Sequence, residues 1–207
     1  MKEKIKEKIK ALWQKAEPIQ SILIFMLILF TSNILWKLSI NGDEGNNQVL
    51  LFNTFDISDP FNFLVIHITD VVKTLLTFFG YHFHARYVND IIFSNHYRVT
   101  IIWGCTAIKQ SFIFLCIMCL TPGPWKHKLW YVPFGLIIVY AFNILRIFII
   151  AMVSENHPEY FFILHRIILK YLFYCVIFLM WVIWEEKINQ KSKKQLLQSN
   201  KEIIETL

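Results

Sequence analysis

The sequence predicts an all-α membrane protein: a bundle of about four transmembrane helices, one amphipathic or re-entrant helix and a short outer β-hairpin. Three observations predict it. Hydrophobic residues fill 56% of the 207 positions and charged residues 17%, and the mean hydropathy is +0.45. A water-soluble domain of this length carries more charge. The apolar residues fall in runs of about 20, long enough to cross a bilayer, and not in the short periodic stripes of a soluble core. The remaining charge gathers at the chain ends and in the turns.

The elements come in this order. Residues 1–18 mix Lys and Glu (MKEKIKEKIKALWQK) and read as a cytoplasmic, headgroup-facing segment. A single membrane domain, 19–184, comes next, with spans at about 19–38, 106–120, 129–153 and 160–184. The first run is too long for a cleaved signal peptide and no small-residue cleavage site follows it, so it reads as an uncleaved anchor. In 61–80, His67, Asp70 and Lys73 recur at three-residue spacing along one helix face, predicting an amphipathic helix. In 81–104, β-branched and aromatic residues flank Ser94-Asn95-His96, predicting a hairpin. Thr121-Pro122-Gly123-Pro124 breaks the chain between spans. Residues 185–207 form a lysine-rich tail.

Charge placement sets the orientation. Lys126 and Lys128 flank the Pro/Gly turn, both ends are rich in lysine, and the other connections are acidic. Four spans, with 61–80 not crossing, put every lysine-rich piece in the cytoplasm and place the protein in the cell (inner) membrane. Lysines concentrate at these mixed Lys/Glu ends, a placement of the formal +6 that argues for lipid and against nucleic acid.

That topology brings three unusual residues to one shallow outer layer. Cys105 stands at the mouth of the second span. Arg146 lies about 10 Å and His165 about 7–8 Å below the outer surface, at 1.5 Å per residue. An arginine inside a span costs at least about 2.5 kcal/mol on insertion scales and normally has a task, although it can also snorkel to headgroups. Asn143, one turn away, is placed to orient its guanidinium. Gly104-Cys105 at a helix start puts the sulfur near backbone amides, and Lys109 at i+4 adds positive charge; both favour the thiolate. His165 can move a proton or simply bridge helices, while Arg166 and Lys170 make the outer half of its span polar. Cys116, Cys119 and Cys175 lie in apolar runs and read as packing. His82, His84 and His96 lack a fixed fourth ligand, so no metal site is expected, and no cofactor.

The motifs LLTFFGY, GCTAIKQ, NILRI and LHRIILKYLF, in this order over roughly residues 74–178, resemble the exosortase/archaeosortase family of membrane cysteine transpeptidases. The resemblance places the family's cysteine on Cys105, its arginine on Arg146, its third catalytic residue on His165 and the asparagine preceding the arginine on Asn143. Ala107 departs from the pattern: many members have glycine there. The chain is also shorter than members with eight spans, a compact branch.

The resemblance implies processing of exported proteins at the outer membrane face. The implied partner is a membrane-anchored substrate with a C-terminal recognition motif, a helix and a basic tail. The acceptor would be an amine, a glycan or lipid, or water. A non-catalytic membrane scaffold or assembly factor stands as the alternative, with a small transporter behind it.

Overall fold

A computed structural model of the chain describes residues 2–43, 48–190 and 198, with residues 2–18 described by their backbone alone. It is mostly helical. Helix α1 (Lys2–Ser39) leads into a three-stranded antiparallel sheet, β1 (Ile40–Asp43), β2 (Gln48–Leu51) and β3 (Phe55–Asp56). Helix α2 (Ser58–Phe78) is followed by a second antiparallel sheet, β4 (Phe83–His84), β5 (Asp90–Phe93) and β6 (Arg98–Thr100). A 3-10 turn, Trp103–Cys105, precedes α3 (Ile108–Leu120) and α4 (Trp125–Asn156). The last helical run, α5 (Pro158–Asn189), carries π-turns at Leu164–Ile168 and Trp184–Asn189.

The apolar part of α1 (Ile19–Ser39), α2, α4 and α5 are each long and apolar enough to cross a membrane. This differs from the sequence expectation in two places. The span expected at 106–120 is a shorter helix of 13 residues, because the chain stays in turns through Cys105 and enters α3 only at Ile108. The segment expected as an amphipathic helix over 61–80 runs Ser58–Phe78 and reaches crossing length, with the lowest hydropathy of the four. Its buried stripe is one-sided: Phe61, Val65, Ile68, Thr69, Val72 and Leu76. The expected hairpin is β5–β6, with β4 added at its edge. The β1–β3 sheet falls in a stretch read as a polar connection. Most of the tail, 191–197 and 199–207, lies outside the described residues.

Two cores stack along α4. The lower one joins α1, α3, α4 and α5 through Phe25, Phe114, Ile117, Met118, Val139, Phe173 and Ile177. Lipid tails are as apolar as leucine, so such helices associate through close packing rather than through the hydrophobic effect. Gly135 shows how close: a β-carbon there would lie 2.2 Å from Phe114 and 2.7 Å from Met180. Polar glue supplements it. The Ser21 hydroxyl donates to Glu185 (3.3 Å), and the Lys128 ammonium donates to the Thr121 carbonyl (2.7 Å) at the end of α3. There it meets the negative end of the helix dipole. Outside this core, Leu23, Leu27, Leu38, Leu129 and Ile137 are each more than 60% exposed, a wall that only lipid tolerates.

The upper core packs α2 and the β4–β6 sheet on the second half of α4, with Ile68, Val72, Leu76, Ile91, Phe93, Ile147 and Ala151 at its centre. His67 stacks on Tyr140 and Phe79 meets Phe148, so α2 runs beside the latter half of α4. The Asn95 amide at the hairpin tip donates to the Ser154 and Glu155 carbonyls and caps the C-terminus of α4. A third cluster, Trp36, Val49 and Phe61, ties the end of α1 to β2 and α2. Asp56 fixes the entry to α2 by accepting from both the hydroxyl and the amide of Ser58, which holds its carboxyl below the usual range.

Candidate active site

Cys105 is held from three sides. Its amide donates to Ile102 O (2.8 Å), and the Thr106 amide and hydroxyl both donate to Trp103 O (3.1 and 2.7 Å), closing the 3-10 turn. Its own carbonyl accepts from the Asn143 amide (2.8 Å), a tie between this turn and the middle of α4. The side chain is half-buried against the upper core. The next residues reverse the chain: Ala107 adopts the left-handed conformation (φ 59°, ψ 13°) and is 3% exposed. Glycine adopts that conformation without strain and alanine does not, so the departure from the family pattern falls on the one residue of this junction where glycine fits best.

Arg146 is one helical turn beyond Asn143 and is 7% exposed. Its guanidinium interacts electrostatically with Cys105 and with His165. Its Nε–H has no hydrogen-bond partner among the described residues, and neither has the Asn143 side-chain oxygen. Buried polar groups are normally paired, so these two unsatisfied atoms are exceptions inside the bundle. His165 is half-buried and stacks face to face on Phe161, with ring centroids 5.4 Å apart and planes 3° apart. It lies within the π-turn Leu164–Ile168. A π-turn inserts one residue into the helix and rotates the downstream residues by about 100°, a device frequent at functional sites.

Arg146 thus lies within electrostatic range of both Cys105 and His165, and three separate elements carry these residues. Two supporting residues behave otherwise than expected. Asn143 does not hold the Arg146 guanidinium; its amide bonds the Cys105 carbonyl, because it faces the turn ahead of α3. Lys109 does not share a helix face with Cys105, because Cys105 precedes α3 and its amide is already bonded to Ile102. Lys109 instead lines a cavity of about 320 Å³ with Trp36, Lys37, Phe61 and Trp103; Gly104 and Thr106, on either side of Cys105, line it too. Sequence reasoning missed this cavity and Lys37. The available signal was a lysine at the end of α1 remote from the basic N-terminus. No grouping of three or more His, Cys, Asp or Glu suited to a metal occurs among the described residues.

Helices of crossing length and an exposed apolar wall define a multi-pass membrane protein. The family model for transmembrane exosortases (Exosortase_EpsH) matches residues 48–184, and the chain belongs to that family. Membership gives it a membrane transpeptidase and protein-sorting role in general terms. No curated protein and no solved structure matches the chain.

Proposed function

We propose that the chain is a cysteine transpeptidase or protease that cuts the C-terminal sorting signals of exported proteins at the outer membrane face, with Cys105 as nucleophile. The observation that carries this reading is the buried Arg146, within electrostatic range of Cys105 and His165 and with an Nε–H unpartnered among the described residues. The Cys105 thiolate attacks the scissile carbonyl, forming a C–S bond, and Arg146 stabilises the oxyanion. As the tetrahedral intermediate collapses, the C–N bond breaks, and His165 delivers the proton to the leaving amine. An acceptor amine, sugar hydroxyl or water then attacks the thioester, the C–S bond breaks, and His165 takes up the acceptor's proton. The substrate is a membrane-anchored protein with a C-terminal motif, a helix and a basic tail.

In this reading α1, α4 and α5 cross the membrane, α3 together with the turns that precede it makes the fourth passage, both chain ends are cytoplasmic, and α2 lies beside the outer half of α4. Arg146 is 18 residues beyond Lys128 on α4, about 27 Å at 1.5 Å per residue, close to a full hydrocarbon thickness. With Lys128 at the cytoplasmic interface, this supports a reaction layer at the outer one.

The test is Cys105→Ala in cells that express a substrate. The variant inserts, and uncut substrate accumulates. Complete processing by the variant contradicts the assignment and leaves the non-catalytic scaffold.

A further inference from the structure

The cavity beside Cys105 has a chemistry that peptide cleavage does not call for. Lys37 of α1 and Lys109 of α3 line it, over an apolar floor of Trp36, Phe61 and Trp103. Lys170 of α5 lies within electrostatic range of Lys109, as does Lys37. Lys37 and Lys109 thus face one cavity from two helices, with Lys170 of a third within electrostatic range, and the ion pairs Arg98–Asp90 and His157–Glu159 lie elsewhere. Like charges gathered in this way repel one another, more strongly where water is scarce.

The approach to this cluster is from lipid. Lys37 and Lys170 are exposed and each precedes an exposed apolar side chain, Leu38 at 68% and Tyr171 at 64%. Those side chains belong to the apolar wall of the bundle. Lysines on such a wall interact with the phosphates of the headgroup layer, and an ammonium binds phosphate as a compact point charge. The volume of about 320 Å³ falls at the lower end of the range for small-molecule sites, about 300–1,000 Å³.

We propose that this cavity, lined by Lys37 and Lys109, binds the phosphate of an outer-leaflet phospholipid beside Cys105. The phosphate offsets part of the lysines' mutual repulsion, and the acyl chains lie along the exposed faces of α1 and α5. The leaflet rests on the topology proposed above; the binding itself does not depend on the protease reading.

The experiment measures lipid retention, not processing. The purified full chain is reconstituted in phosphatidylcholine containing phosphatidylglycerol, and the phospholipid that stays bound is read by native mass spectrometry. The expected result is retained phosphatidylglycerol in the wild type and in Cys105→Ala, with a loss of at least about tenfold in the combined Lys37→Gln, Lys109→Gln and Lys170→Gln variant. Replacing the same three residues by Arg preserves retention, which separates lost charge from lost folding. Lys73→Gln, a lysine outside the cavity, preserves it too. Retention within about twofold in the triple Gln variant overturns the proposal, as does equal loss in Lys73→Gln. Displacement of the lipid by millimolar inorganic phosphate assigns the cavity to a soluble anion and overturns the lipid source. Retention unchanged in Cys105→Ala while processing by the wild type is absent contradicts the protease reading alone.

Discussion

At Arg146 the planar guanidinium sits where burial leaves its Nε–H unpaired among the described residues, so geometry counts as much as charge. Arg146→Lys keeps the cation and loses the fork of donors. Processing is expected to fall by about 10²–10³, the usual loss for one oxyanion donor, while the variant inserts normally; unchanged cleavage kinetics on a purified substrate would remove Arg146 from the oxyanion role. Ala107 offers a second residue-scale test. Its left-handed backbone costs an L-residue about 1–2 kcal/mol, and its side chain has no spare space. Ala107→Gly is expected to keep processing within about twofold, whereas Ala107→Val, stiff at its β-carbon, lowers stability by about 2 kcal/mol or more. Thermal unfolding in detergent compares the two. The sequence singles out Cys105, Arg146 and His165 because each is costly or unusual near a membrane run. It did not make legible the hydrogen bond of Asn143, since an asparagine one turn from an arginine could serve either the guanidinium or the main chain of another element.

At the scale of elements, α3 is where packing is tightest and length shortest. Its 13 residues span about 20 Å, and its far end is closed by Lys128 rather than by further helix. Its fit to α4 depends on Gly135. Gly135→Ala forces Phe114 and Met180 apart, in a core where both are buried, and is expected to destabilise the bundle by about 1–3 kcal/mol; an unchanged melting temperature would mean that the helices separate without loss. The sequence placed this helix correctly between Cys105 and the Pro/Gly break but began it two residues early, because hydropathy cannot distinguish a 3-10 turn and a left-handed residue from the first turn of a helix. The π-turn that carries His165 left no trace in composition either: LHRII is an ordinary helical pentapeptide, and only its packing shows the inserted residue. The β1–β3 sheet escaped for a related reason. Its strands are two to four residues long, too short for alternation to register.

For the whole molecule, the stacking of two cores along α4 puts the hairpin cap and the Lys126–Lys128 turn at opposite ends of one helix. His96→Cys and Lys126→Cys, each in a background with the four native cysteines replaced by Ala, test the orientation. A membrane-impermeant maleimide applied from outside is expected to label His96→Cys and spare Lys126→Cys; labelling of Lys126→Cys from outside would mean that α2 crosses and that the turn is external. Hydropathy made the membrane class and the two long final helices legible. The placement of α2 was not, because a helix with one buried stripe and interrupting polar residues satisfies both a surface and a crossing pattern.

The central claim is that the Cys105 thiol, within electrostatic range of the buried Arg146 guanidinium, forms an acyl-enzyme. The most direct measurement is to quench purified protein with a substrate carrying the C-terminal signal and to map adducts by mass spectrometry with and without hydroxylamine. The account predicts the N-terminal substrate fragment on Cys105 as a hydroxylamine-sensitive thioester, enriched when the acceptor is withheld. Turnover with no adduct on Cys105, or an adduct on Cys116, Cys119 or Cys175 instead, would contradict it.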